Sequence, residues 1–192
     1  MSTKIRIAIF ASGNGSNAEN IYDFFKANKS IEIVSILCNK KDAFVFQRAK
    51  KLGIASFHFA NSDFREGNLI INLLKSQQVD IIVLAGFLLR IPQNLIDAFP
   101  KGIINIHPAL LPKYGGKGMY GDNVHKAVEA AGDTKSGITI HLVNKNYDEG
   151  EHLCQLECDI LNSDTYEEIA QKVHLLEYEH FPTTIEQYIN QN

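Results

Sequence analysis

Three runs of strand length are apolar almost from end to end: IRIAIFA at Ile5–Ala11, IEIVSILC at Ile31–Cys38 and VDIIVLA at 79–85. A strand with one wet face alternates apolar and polar residues. Near-continuous apolar runs suit strands covered on both faces, as in a parallel sheet. Between them lie stretches with apolar residues at helical spacing, at about 17–27, 43–52 and 64–77. The last of these carries Leu69, Ile70, Leu73 and Leu74. A short strand over 55–60 and a short helix over 91–99 complete the alternation. Strand–helix–strand order at these spacings predicts right-handed βαβ units and a doubly wound, mostly parallel α/β sheet.

The remainder of the chain breaks that rhythm. A strand at 102–107 stops at Pro108, which cannot donate to a ladder. A helix is expected at 124–131. Strands at 137–143 and 153–160 have no helix between them, only NKNYDEG, so they pair antiparallel. Ser163-Asp164-Thr165 before Glu167 and Glu168 resembles a helix start with acidic residues at the positive dipole end. That long helix is expected to run to about His180, with Pro182 interrupting it and one turn after. The whole of 1–192 reads as one domain, with a phosphate-binding half over about 1–100 and a catalytic half over about 101–192.

Ligands of doubly wound sheets sit beyond the carboxyl ends of the strands. Three loops fall there. The first, SGNGSN at 12–17, offers backbone amides at a helix start, where anions bind. Gly13 and Gly15 match two glycines of a dinucleotide fingerprint. The third glycine is missing, and Asn39-Lys40-Lys41 stands where an acidic residue would hold a ribose. The loop therefore favours a single phosphate; the alternative is a tight turn that binds nothing. The second is Gly86-Phe87-Leu88-Leu89.

The third end carries the chemistry. Residues two apart on a strand share a face, so Asn105 and His107 point one way and Ile104 and Ile106 the other. An amide can donate to an oxyanion, and an imidazole titrates near neutral pH. Asp148, in the glycine-ended hairpin, is a carboxylate able to reach the same strand end and orient His107. The alternatives are an imidazole capped by loop carbonyls and an ordinary turn aspartate. His141 alternates with core residues, which fits packing alone. His125, His174 and His180 read as surface or rim. His152, Cys154 and Cys158 do not make a metal site: on one strand the two thiols would lie about 13 Å apart. No metal is expected.

The chain has 192 residues, a net charge of -3 and three cysteines. No global field recruits nucleic acid or an acidic membrane. No apolar run is long enough to span a bilayer, and Met1 to Arg6 has no signal-peptide layout. The odd cysteine count suggests reduced thiols in a cytoplasm.

Taken together, SGNGSN, AGF, NIHPALLPKY and YDEG, in this order over Ile5 to about Pro182, resemble the phosphoribosylglycinamide formyltransferases, folate-dependent enzymes of purine synthesis. The resemblance implies catalytic roles for Asn105, His107 and Asp148. It implies that Gly15, Ser16, Asn17 and Glu177 bind glycinamide ribonucleotide. It implies that Arg65, Leu88, Leu89, Arg90, Ile91 and Asn105 face the folate, with 10-formyltetrahydrofolate as co-substrate. Small-molecule substrates and a monomer or homodimer follow. Departures are the loop GGKGMYGDN after PKY, LLRIP after Phe87, and Glu149 after Asp148. The rival readings are a formyltetrahydrofolate hydrolase or another folate-dependent formyltransferase. Those hydrolases carry an extra N-terminal domain and the methionyl-tRNA enzymes an extra C-terminal one; with a first strand at Ile5 and a last residue at Asn192, neither is expected here. More distant readings are a non-catalytic nucleotide-binding module and a nicotinamide dehydrogenase.

Overall fold

The computed structural model describes residues 4–66 and 68–192. Met1–Thr3, part of the stretch read above as lacking a signal-peptide layout, lie outside them. Among the described residues the elements are β1 (Ile5–Ala11), α1 (Ser16–Phe25), β2 (Ile31–Cys38), α2 (Val45–Leu52), β3 (Ala55–His58), α3 (Asn61–Glu66), α4 (Asn68–Ser76) and β4 (Ile81–Leu84). There follow α5 (Gln93–Ala98), β5 (Ile103–His107), α6 (Asp122–Ala131), β6 (Lys135–Leu142), β7 (His152–Asp159) and α7 (Tyr166–Gln191). The sheet order is β3-β2-β1-β4-β5-β6-β7. The chain divides inside β5 into two compact units, one reaching Ile104 and the other Asn105–Gln191.

In the first unit β1 pairs parallel with β2 and with β4, and β2 parallel with β3. The chain thus steps outward from β1 to β3 and returns to the other side of β1, which makes a topological switch point. Ile7 to Ala11 are fully buried, as are Ile36, Leu37, Ile82 and Val83. This is the two-sided burial that their apolar sequence demands. Ser12, itself buried, ties three strand ends together. Its Oγ donates to Asn39 Oδ1 at 2.7 Å and accepts the Leu88 N–H at 3.1 Å, while its own N–H donates to Gly86 O.

The helix expected over 64–77 meets α3, which begins earlier at Asn61, and α4, with residue 67 outside the described residues. The apolar stripe from Leu69 to Leu74 belongs to α4 alone. Phe64, on α3, belongs to an aromatic cluster with Phe10, Phe59 and Phe87, whose ring centroids lie 5.2–6.1 Å apart. Rings at such separations attract beyond simple burial. They anchor the segment that leads into Leu88–Ile91.

In the second unit β6 and β7 are antiparallel, as expected, with an irregularity in register between Ile140 and His141. Thr139 is buried and pins the NIHPALLP loop. Its hydroxyl donates to Ala109 O at 2.7 Å and accepts the Leu111 N–H at 3.0 Å. The interruption expected at Pro182 does not occur: α7 runs through it to Gln191. Proline deprives the carbonyl one turn earlier of its donor. That carbonyl is Tyr178's; the Thr183 hydroxyl bonds others, donating to the His180 carbonyl at 3.0 Å with the Glu179 carbonyl at 3.4 Å. Phe181, Pro182 and Ile185 are buried, so packing holds the helix across a residue that isolated propensity would reject. No helix among the described residues is long and apolar enough to cross a membrane.

Candidate active site

β5 ends on the two side chains the alternation puts on one face. Ile104 and Ile106 are buried on the other. Asn105 Nδ2 donates to His141 Nε2 at 3.1 Å. His141 Nδ1 donates to the Leu142 carbonyl at 2.9 Å, which fixes the tautomer and leaves Nε2 as the acceptor. The amide of Asn105 is thereby held with its nitrogen toward His141, and its second N–H remains for another acceptor. Burial pushes the His141 imidazole below its ordinary range, with its backbone bond and the Asp148 carboxylate opposing.

His107 is almost fully buried. Its Nε2 donates to the Tyr114 carbonyl at 2.7 Å. Its other nitrogen, Nδ1, lies 3.8 Å from Asp148 Oδ2. Asp148 Oδ1 is 3.7 Å from His141 Nε2, so the carboxylate stands between two imidazoles. Its hydrogen bond goes elsewhere: Oδ2 accepts the Gly116 N–H at 2.8 Å. The ring of His107 is therefore oriented by a loop carbonyl, while Asp148 faces it across a wider gap. Asp148 has φ 54°, a left-handed conformation that the surrounding hairpin imposes.

The hairpin is built for this. Asn144 Oδ1 accepts the Asn146 N–H and Asn144 Nδ2 donates to Glu149 O, which closes a tight turn. At its base Gly150 lies so close to the Leu142 carbonyl that a Cβ there would stand 1.6 Å from the oxygen.

A second cluster lies on α6 and α7. Gly121, Asp122, His125, Val173, His174 and Glu177 line a pocket of about 260 Å³. Glu177 accepts from His174 Nδ1 at 2.9 Å. His125, read from sequence as surface or rim, is buried, and its Nδ1 has no hydrogen-bond partner among the described residues. Its imidazole is pushed down by burial, against the pull of Glu177 and Asp122.

In the first unit Gly15 caps α1 with φ 77°, Ser16 and Asn17 open the helix, and Asn17 is buried. Arg48 on α2 braces the loop: it donates to Asn14 O and Asn14 Oδ1 and pairs with Glu19. Arg65 is exposed on α3, and Leu88, Leu89, Arg90 and buried Ile91 lie in irregular backbone after β4. Gly15 cannot be another residue cheaply. A left-handed φ costs an L-residue about 1–2 kcal/mol, and a Cβ would meet the Val45 side chain at 2.3 Å. Gly15→Ala should therefore lower the urea midpoint, and adding Val45→Ala should recover part of the loss. A Gly15→Ala protein as stable as wild type would show that this turn is not fixed.

Both depressed histidines bear on stability. Folded His141 and His125 hold their protons less tightly than the ordinary 6.5 of the unfolded chain. Below that value the unfolded state binds more protons, so stability rises with pH across the window and falls as acid is added. The urea midpoint should drop from about pH 7.5 to about pH 5.5, and His141→Gln should flatten the slope. Equal slopes in the two proteins would remove His141 as a cause.

Sequence reasoning did not find the partners that are main-chain or concealed by packing: the Tyr114 carbonyl, the Gly116 amide and His141 as acceptor for Asn105. Among the described residues no three His, Cys, Asp or Glu side chains group so as to hold a metal ion, and Cys38, Cys154 and Cys158 are free thiols.

A doubly wound α/β sheet with an amide, two imidazoles and a carboxylate gathered at one strand end defines a class of proteins equipped for acyl-type proton and oxyanion chemistry. The chain belongs to the formyl transferase family, whose sequence pattern matches residues 5–185. It is 41% identical over 174 residues to the chloroplastic phosphoribosylglycinamide formyltransferase of Arabidopsis thaliana, covering 88% of this chain and 60% of that one. It is 35% identical over 192 residues to the phosphoribosylglycinamide formyltransferase of Bacillus subtilis, covering 97% of this chain and 96% of the relative. Among solved structures, that of the phosphoribosylglycinamide formyltransferase from Brucella melitensis superposes with a TM-score of 0.87 at 32% identity, over 97% and 96% of the two chains.

Proposed function

We propose that this protein transfers the formyl group of 10-formyltetrahydrofolate to the amino group of 5-phosphoribosylglycinamide, a step of purine biosynthesis. The observation that carries the reading is the convergence of Asn105, His107 and Asp148 with His141. The match to the Bacillus subtilis relative over nearly its whole length supports the choice of substrates.

The amine attacks the formyl carbon and a tetrahedral oxyanion forms. The free N–H of Asn105 donates to that oxyanion, with His107 beside it. The attacking nitrogen loses a proton, and the folate nitrogen gains one as its bond to the formyl carbon breaks. His107 Nδ1 and the Asp148 carboxylate stand on the route of that proton, close enough for one water to join them. Gly15, Ser16 and Asn17 take the phosphate of the ribonucleotide through backbone amides at the start of α1. Glu177 contacts the same substrate. Arg65 and the segment Leu88, Leu89, Arg90 and Ile91 contact the folate. The protein acts in the cytoplasm, as monomer or homodimer.

The test is turnover with glycinamide ribonucleotide and 10-formyltetrahydrofolate, following free tetrahydrofolate. Release that needs the ribonucleotide supports the transfer. Release at the same rate without it would make the protein a hydrolase.

A further inference from the structure

We propose that Asp133 is a positioning residue for His107, acting through the ring and then the carbonyl of Tyr114. The inference rests on the catalytic reading of His107 given above.

Two hydrogen bonds make the connection, one to the side chain of Tyr114 and one to its main chain. Asp133 Oδ2 accepts the Tyr114 hydroxyl at 2.8 Å. The carbonyl of the same tyrosine accepts His107 Nε2–H at 2.7 Å. Lys113 Nζ donates to both carboxylate oxygens of Asp133, at 3.1 and 3.0 Å, and lies 5.8 Å from the centre of the Tyr114 ring. One residue thus has its ring fastened to the turn after α6 and its carbonyl fastened to the imidazole.

Two features say that the fastening matters. Tyr114 has φ 55°, a left-handed conformation that a bulky residue keeps only where its surroundings over-determine it. The direction of its carbonyl depends on that conformation. Tyr114 also lines a pocket of about 190 Å³ with Leu110, Val128, Asp133 and Ser136 among others. Tyr114 is half-buried and borders open space, and the hydroxyl bond to Asp133 adds a restraint to what packing supplies. The Asp133 carboxyl is held below its usual range by hydrogen bonds from Lys113 and Tyr114, and burial keeps the Tyr114 hydroxyl protonated. The bond is therefore a charge-assisted one, stronger than a neutral pair.

The test uses full-length protein carrying nitrogen-15 histidine. In wild type His107 should show one tautomer, with the proton on Nε2. Tyr114→Phe keeps the ring and removes the tether; Asp133→Ala removes its anchor; Asp133→Asn keeps an acceptor for the hydroxyl. Tyr114→Phe and Asp133→Ala should shift the His107 nitrogen resonances toward a tautomer mixture. Both should lower kcat about tenfold with KM for each substrate within twofold, while Asp133→Asn should restore most of the resonance position and of kcat. A His107 spectrum unmoved by Tyr114→Phe overturns the proposal. So does a moved spectrum with unchanged kcat, and so does a kcat loss matched by a fall in folded fraction. If wild type transfers no formyl group, the catalytic reading fails, and the spectra still decide whether Asp133 orients the imidazole.

Discussion

Asn105→Ala should lower turnover by about 10²–10³-fold, the usual loss for one oxyanion donor. The residue sits at the end of β5, between buried Ile104 and Ile106, so its backbone is held by the strand and not by its side chain. What disappears is the amide: the bond to His141 Nε2 and the second N–H that we assign to the oxyanion. Leaving the His141 acceptor without that donor costs about 1–3 kcal/mol at most, and half-exposed Asn105 leaves room for water to replace it. The two consequences therefore separate, with a large fall in kcat beside a small shift in unfolding midpoint. Turnover within twofold of wild type would take Asn105 out of the mechanism. A collapse in stability that tracked the lost activity would make it a structural residue.

Much of this architecture was legible because two-sided burial writes itself into composition. IRIAIFA and IEIVSILC could be little else than interior strands, and they are β1 and β2 with the expected bounds. The period of two was as informative at β5, where it set Asn105 and His107 on one face. Helix limits were less legible. Spacing over 64–77 could not reveal that helix begins at Asn61 or that Phe64 would serve an aromatic cluster. Pro182 advertised a break that its burial with Phe181 and Ile185 overrides. In the candidate site the unseen parts were of another kind. A carbonyl has no side-chain signature, so nothing in PKYGG marks Tyr114 as the acceptor for His107. His141 alternates like any core residue, and the shift of register beside it depends on the partner strand. His125 read as exposed among charged neighbours because its cover comes from elements distant in sequence.

Gly150→Ala should reduce turnover by about 10²-fold or more, the scale expected when catalytic groups move by an ångström, although residue 150 carries no functional group. The added Cβ would stand 1.6 Å from the Leu142 oxygen and 2.7 Å from its carbonyl carbon. Both are backbone atoms, so no rotamer change relieves the overlap, and β6 and the hairpin must separate. The Leu142 oxygen is also the acceptor for His141 Nδ1–H, and the Leu142 N–H closes the hairpin on Glu151 O at 2.8 Å. One displacement therefore loosens the tautomer of His141, the hold of His141 on Asn105, and the placement of Asp148 two residues away. Overpacking of this kind costs about 1–3 kcal/mol, so the melting temperature should fall as well. Glu149→Ala is the matched control: that side chain is exposed and accepts only from Asn146 Nδ2 among the bonds described, so turnover should stay within twofold. Equal activity in the Gly150 and Glu149 variants would mean that the hairpin tolerates opening. In that case the 3.8 Å approach of Asp148 to His107 would not be what the chemistry requires.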